Sequence, residues 1–236
     1  MHPLLFALKR RYRKEKLPDP FAYLFKWFNR VPRGVFQVGA SAGQEINGFI
    51  AQGIGTGIFV EPLPGAYQSL KETVSRQPGY FAVNAMCADV AGKKCNFYVS
   101  SGVGASSSTL KPSGHLAAHP EVGFDTAPII LDSTTVDQIA ADFRADMRSD
   151  VVDSIDLLYM DTQGAELNVL KGADQLLGQI LYVFTEVSHG GLYENDVSLK
   201  ELTDYLDTRG FSLVFTYLNK HGWGDALYIR KSIFDK

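Results

Sequence analysis

The stretch IDLLYMDTQGAELNVLKGADQLL, Ile155–Leu177, decides the fold. IDLLYM is an apolar run of strand length, and AELNVLKGADQLL, beginning at Ala165, repeats apolar residues at helical spacing. Between them lie only Asp161, Thr162, Gln163 and Gly164, the last free to turn sharply. A buried strand feeding a helix through so short a turn is the building unit of a parallel sheet. Asp161 has two readings at this junction. It can cap the helix at Ala165, worth ~1 kcal/mol, or it can point at a ligand beyond the strand end.

Working outward, the same alternation recurs. Upstream, VFQVGA (35–40) reads as a buried strand followed by a loop and helix in SAGQEINGFIAQG. GIFVEP (57–62) is a second strand, and PGAYQSLKETVSRQ is a helix with Tyr67, Leu70 and Val74 on one face. YFAVNAM (80–86) is a third. KKCNFYVS (93–100) alternates like one arm of an edge hairpin whose turn is 89–93. Residues 100–128, rich in Ser, Gly and Pro, form a loop long enough to be a lid or binding loop. TTVDQIAADF restores a helix, with Val136, Ile139, Ala140 and Phe143 inward. Downstream of the opening stretch, ILYVFTEV (180–187) is a fifth strand. SLKELTDYLDTRG then carries the capping-box spacing Ser198 to Glu201 and ends at Gly210. FSLVFTYL and ALYIRK, joined by NKHGWGD, close the chain as a strand pair. The expected fold is α/β: a doubly wound, mostly parallel, Rossmann-like sheet with a C-terminal antiparallel hairpin.

Bulk properties restrict the function. With 45% hydrophobic and 21% charged residues, the 236-residue chain is globular rather than disordered. A net charge of −3 gives no reason to expect a nucleic-acid partner. Cys87 and Cys95 lack zinc spacing and suit a reduced compartment, so the expected location is cytoplasmic. Organisation is expected as a basic and aromatic arm, 1–33, ahead of a single domain, 34–236. Within the arm, KRRYRKEK (9–16) and FAYLFKWF (21–28) are open to four uses: a solvated end packed on the domain, peripheral contact with an anionic membrane, a grip on an acidic partner, or a homodimer face.

In an open parallel sheet, ligands sit beyond the carboxyl ends of the strands where the winding reverses. Strand one ends in Gly39-Ala40-Ser41-Ala42-Gly43, small residues that admit a ligand to the backbone. Strand two ends in Glu61, spaced from Gly43 as a ribose-binding carboxylate would be. The three-glycine pyrophosphate fingerprint is absent, as is a P-loop lysine. A nucleoside with an amino-acid tail and no phosphate, S-adenosylmethionine, fits such a loop; the plain alternative for each glycine is a turn.

The motifs VGASAGQE, FVEPLPGAYQSL, VNAMCADVAGKKCNFYVS, SSSTL, LDSTTVDQI, YMDTQGAELNVLKGA and LYENDVSLKELTDYLDTRGF with GDALYIR resemble the FkbM-type S-adenosylmethionine-dependent methyltransferases. The resemblance runs from about Val35 to Lys231. It implies a class I methyltransferase fold and, commonly, O-methylation of a sugar or another hydroxyl in glycan (polysaccharide) or natural-product biosynthesis. It places Gln37, Gly39, Ser41 and Gly43 by the methionine moiety and Glu61 with Pro62 by the ribose. Ala85, Met86 and Cys87 would border the adenine, and Asp161 the sulfonium or acceptor. Two positions depart from the family: Gln37 stands where an acid is usual, and Tyr159 where a basic residue is common. They support the alternative of a catalytically silent cofactor-binding relative. A nucleotide-dependent oxidoreductase is disfavoured by the missing pyrophosphate loop.

A sugar hydroxyl is a poor nucleophile until it loses its proton, so a base or metal is expected near the acceptor. The candidates are Asp161, Glu186 and His189, with His115, His119 and His221 in segments able to close over it. Asp161 and Glu186 are alternatively ligands for Mg2+.

Overall fold

The computed structural model describes residues 30–102 and 104–234. The runs 9–16 and 21–28, and with them the membrane and dimer readings of the arm, lie outside the described residues.

The strands β1 (Gly34–Val38), β2 (Thr56–Val60) and β3 (Tyr80–Val83) alternate with the helices α1 (Ile46–Ala51) and α2 (Pro64–Val74). Two short strands follow, β4 (Met86–Cys87) and β5 (Lys94–Phe97), then helix α3 (His115–Ala118) and strand β6 (Ile129–Thr134). The second half runs α4 (Val136–Ala145), α5 (Ser149–Ser154), β7 (Ile155–Met160), α6 (Glu166–Lys171), β8 (Tyr182–Ser188) and α7 (Leu199–Thr208). It ends with β9 (Phe211–Leu218) and β10 (Trp223–Arg230). The main sheet has seven strands in the order β3-β2-β1-β7-β8-β10-β9. β3, β2, β1, β7 and β8 are parallel, and β10 pairs antiparallel with both β8 and β9.

Both faces of the sheet are covered, which is why its strands read as continuous apolar runs. Phe36, Val38, Ile58 and Val60 pack with Ile139 and Phe143 of α4, Val169 and Leu170 of α6, and Leu202 and Leu206 of α7. On the opposite face Val35, Phe59 and Leu157 pack with Ile46 and Phe49 of α1 and Leu70 and Val74 of α2. From β1 the chain winds outward through β2 and β3, then returns to place β7 on the other flank of β1. The switch point therefore lies between β1 and β7.

Three local expectations are corrected. β5 does not hairpin with the third strand; it pairs antiparallel with β6, to which β4 adds in parallel, making a separate three-stranded sheet. The chain leaves the main sheet at Asn84, whose amide donates to the carbonyls of Glu61 and Pro62 at 2.8 and 3.0 Å and draws residues 84–85 across the strand ends. β6 was not expected at all, because Ile129, Ile130 and Asp132 are exposed and its pattern lacks a buried stripe. The helix after β7 is shorter than its periodicity: it ends at Lys171, and Gly172, its C-cap, stands against the carbonyl of Ala88. A Cβ there would lie 2.1 Å from that oxygen. The chain resumes as a single 3-10 turn at Leu176–Gly178.

Candidate active site

A cavity lies at the carboxyl ends of the central strands, where a parallel sheet places its small-molecule site. Its lining follows the strand order. Ala85, Met86, Cys87 and Phe97 stand beyond β3; Glu61 and Pro62 end β2; Gly39, Ser41, Gln44 and Glu45 follow β1; Asp161, Thr162 and Gln163 follow β7. Neighbouring strands are about 4.8 Å apart, so the cavity crosses three strand intervals, or roughly 14 Å. It is apolar beyond β3 and acidic beside β7.

The loop after β1 is held by its backbone. The Gly39 and Ala40 amides both donate to the Val60 carbonyl at 3.0 Å, and the Asp161 amide donates to the Val38 carbonyl at 3.0 Å. Gly39 has φ +80°, and a Cβ on it would meet the Asp161 carbonyl at 1.8 Å, so only glycine lets these strand ends close together. Glu61, 6% exposed, accepts from the Ser41 amide at 2.9 Å and the Leu63 amide at 2.8 Å, one bond to each carboxylate oxygen. Burial raises its pKa, and those two amides oppose the rise. Each oxygen keeps a lone pair for a ligand hydroxyl.

Asp161 does not cap α6. The helix has no side-chain cap; Glu166 braces the turn before it, its Oε1 accepting from the Thr162 amide, the Thr162 hydroxyl and the Gly164 amide at 3.0, 3.1 and 3.2 Å. Asp161 is left to face the cavity, with its surface exposed there. Burial, with Glu166, Glu45 and Asp225 nearby, pushes its pKa up to about 7 against an opposing hydrogen bond from Gln163. Glu186, one strand away, is also raised, by burial and by the Asp161 charge. Gln163 joins the two, its Nε2 donating to Asp161 Oδ1 at 2.7 Å and to Glu186 Oε2 at 3.0 Å. Its backbone lies in the left-handed region at φ 55°, a conformation that costs a non-glycine residue on the order of 1 kcal/mol.

This amide corrects the magnesium expectation. The space between Asp161 and Glu186, where a shared cation would sit, is spanned by an NH₂ group that already donates to both carboxylates. Among the described residues no group of three His, Cys, Asp or Glu is arranged to hold a metal.

Residues 104–109 of the long loop roof the site. Gly104, Ala105, Ser107 and Thr109 line the cavity. The Ser108 hydroxyl donates to the Gln163 carbonyl at 2.8 Å, and the Tyr193 hydroxyl lies 2.9 Å from the Ser106 carbonyl and 3.1 Å from Gln163 Oε1.

Of the expected site residues, Gly39, Ser41, Glu61, Pro62, Ala85, Met86, Cys87 and Asp161 line the cavity. Cys87 is wall rather than nucleophile, since burial pushes its thiol up to about 12. Gly43 packs on Ile46 and Leu70 behind the loop, Gln37 is buried beneath it, and Glu186 reaches the site through Gln163. His189 does not line it: β8 continues through Ser188, paired with Trp223, and carries His189 past the opening to rest by Gly222. His115 and His119 stack with each other and with Tyr193 and Trp223 respectively, away from the cavity lining. His221 stacks on His119 in the same cluster. Sequence reasoning missed Glu45, Glu166 and Tyr193 as parts of the site.

The Methyltransferase FkbM domain model matches residues 37–213. The chain belongs to the FkbM methyltransferase family, and is a methyltransferase. This family member is 27% identical over 187 residues to the 2-O-methyltransferase NoeI of Sinorhizobium fredii, a match covering 76% of this chain and 72% of that protein. Among solved structures it is similar to a methyltransferase from Aquifex aeolicus at 12% identity (95% of this chain, 97% of that one, TM-score 0.47). It is also similar to Aeropyrum pernix fibrillarin with natively bound S-adenosyl-L-methionine, at 13% identity (95% and 74%, TM-score 0.45). A third similar structure is Sp1610 of Streptococcus pneumoniae, solved with S-adenosyl-L-methionine, at 14% identity and TM-score 0.44. That match covers 83% of this chain, which spans 65% of the other's length. Among the described residues no helix is long and apolar enough to cross a membrane.

Proposed function

We propose that this methyltransferase takes its methyl group from S-adenosylmethionine and transfers it to a hydroxyl oxygen, with a saccharide as the acceptor class. The donor is supported by the order of the cavity lining. An apolar wall at Ala85–Cys87 and Phe97 suits a flat base, Glu61 retains acceptor capacity for two ribose hydroxyls, and an acidic end suits a cationic tail. When bound, S-adenosylmethionine supplies an electrophilic methyl carbon on sulfur for in-line displacement.

The observation that carries the oxygen acceptor is Asp161. A carboxylate at its ordinary pKa is a feeble base toward a hydroxyl, and one raised to about 7 is matched to neutral pH. Gln163 holds Oδ1, leaving Oδ2 to take the acceptor's proton. The roof segment 104–109 covers the cavity on one side. NoeI, named a 2-O-methyltransferase, supports oxygen as the acceptor atom.

The test is calorimetric titration of wild type and Glu61→Ala with S-adenosylmethionine and, separately, NADH. The expected result is binding of the first alone, weakened about tenfold or more in the variant by loss of the ribose hydrogen bonds. Binding of NADH in preference to S-adenosylmethionine would overturn the reading. A panel of saccharides assayed with labelled donor then tests the acceptor, and methylation confined to amine or carbon acceptors would remove the oxygen assignment.

A further inference from the structure

We infer that Glu45 is the seat of the donor's α-ammonium group and that Gln37 is the residue that holds it in place. The inference rests on S-adenosylmethionine being the donor, and it assigns a role to a residue that the motif comparison left without one.

Gln37 lies on the α1-facing side of β1 and is 0% exposed. Its Nε2 donates to Glu45 Oε2 at 3.0 Å, and its Oε1 is buried with no hydrogen-bond partner among the described residues. Leaving a buried amide oxygen unsatisfied costs roughly 1–3 kcal/mol in ordinary cases, so a residue at this place that served only packing would be apolar. What the amide secures is the orientation of Glu45, which lines the cavity at the head of α1.

Glu45 has no cationic partner among the described ion pairs. Its charge reaches the Asp161 carboxyl and the Tyr159 phenol, raising the pKa of both. A carboxylate fixed on one oxygen, facing a cavity and without a cationic partner among the described ion pairs, is a site for a cation carrying N–H donors. Its position says which cation. Glu45 belongs to the same loop as Ser41, whose amide bonds Glu61, so the tail leaving a ribose on Glu61 meets this loop first. Asp161, beyond β7, is left for the acceptor.

The two departures from the family pattern are explained together. Gln37 and Tyr159 are register partners across β1 and β7. Where an acid and a base would face each other, this chain has an amide and a phenol, with Tyr159 packed edge-on against Phe49 at 5.7 Å. The negative charge has moved one step along the chain, from the strand to the head of the helix it feeds.

The test uses S-adenosylhomocysteine and 5′-methylthioadenosine, which share the nucleoside and a neutral sulfur and differ in the amino-acid tail. Calorimetry on the full chain compares wild type, Glu45→Gln and the exchange Gln37→Glu/Glu45→Gln. Glu45→Gln is expected to weaken S-adenosylhomocysteine by about 10- to 100-fold, as for loss of one charge-assisted hydrogen bond, and to leave 5′-methylthioadenosine unchanged. The exchange is expected to restore most of the lost affinity. Equal losses for both ligands, or none for either, would overturn the assignment, and so would a fall in kcat at unchanged affinity. Failure of the wild type to bind either ligand would remove the donor reading, and this inference with it.

Discussion

At the scale of single residues, Asp161 and Gln163 form a unit whose behaviour follows from opposed effects on one carboxyl. Burial and acidic neighbours raise Asp161, and the Gln163 amide pulls it back down. A general base works deprotonated, so kcat/KM is expected to rise with pH through about 7 and then level. The limb belongs to the coupled acids Asp161, Glu166 and Glu186 rather than to one of them. Asp161→Asn should remove the limb and lower kcat by about 10²- to 10⁴-fold. Gln163→Ala withdraws the donor that lowers both Asp161 and Glu186, so its limb should move to higher pH. A limb unmoved in Gln163→Ala, or retained in Asp161→Asn, would remove Asp161 as the base.

At the scale of elements, what was legible is what periodicity encodes. The strands of the main sheet are apolar runs buried on both faces, helices α2, α4 and α7 carry one buried face each, and the sequence shows both patterns directly. The capping box at Ser198 is formed as spelled: the Ser198 hydroxyl accepts from the Glu201 amide at 3.3 Å, and Glu201 Oε2 accepts from the Ser198 amide at 3.0 Å. Ser198→Ala should therefore cost about 1 kcal/mol in urea denaturation while leaving activity intact. A loss below a few tenths would mean that α7 is held by Leu202 and Leu206 alone. Site residues were legible where strand ends converge, as for Gly39, Glu61 and Asp161. They were not legible where a side chain crosses between loops, because Gln163 to Glu186, Gln37 to Glu45 and Tyr193 to Gln163 obey no period. His189 illustrates the converse error: adjacency to a strand predicts a place at the opening only if the strand stops there, and β8 runs on to pair with β10.

At the scale of the whole molecule, the acids set how stability depends on pH. Asp161 and Asp225 are raised to about 7 and about 6, and Glu61, Asp156, Glu166 and Glu186 are raised as well, all chiefly by burial. Glu121 and Glu201 are lowered, and both are exposed. The raised set dominates. Between about pH 4, where these groups ionise in the unfolded chain, and about pH 7, where they do so in the fold, the native state binds more protons than the unfolded state. Stability from these groups is thus complete below that window and is lost as pH rises through it. The ligand-free protein is expected to melt at a lower temperature at pH 8 than at pH 5.5. Glu186→Gln, which keeps a partner for Gln163 and removes one buried charge, should flatten the slope. After discounting for Glu186's residual solvent contact, it should gain about 1 kcal/mol at pH 8, or roughly 2–4 °C. The variant's advantage should vanish at pH 4, where the wild-type carboxyl is itself protonated. Calorimetric melting of both proteins across this range checks the sign, and an advantage that persisted unchanged at pH 4 would mean that Glu186 destabilises the fold by its shape rather than by its charge.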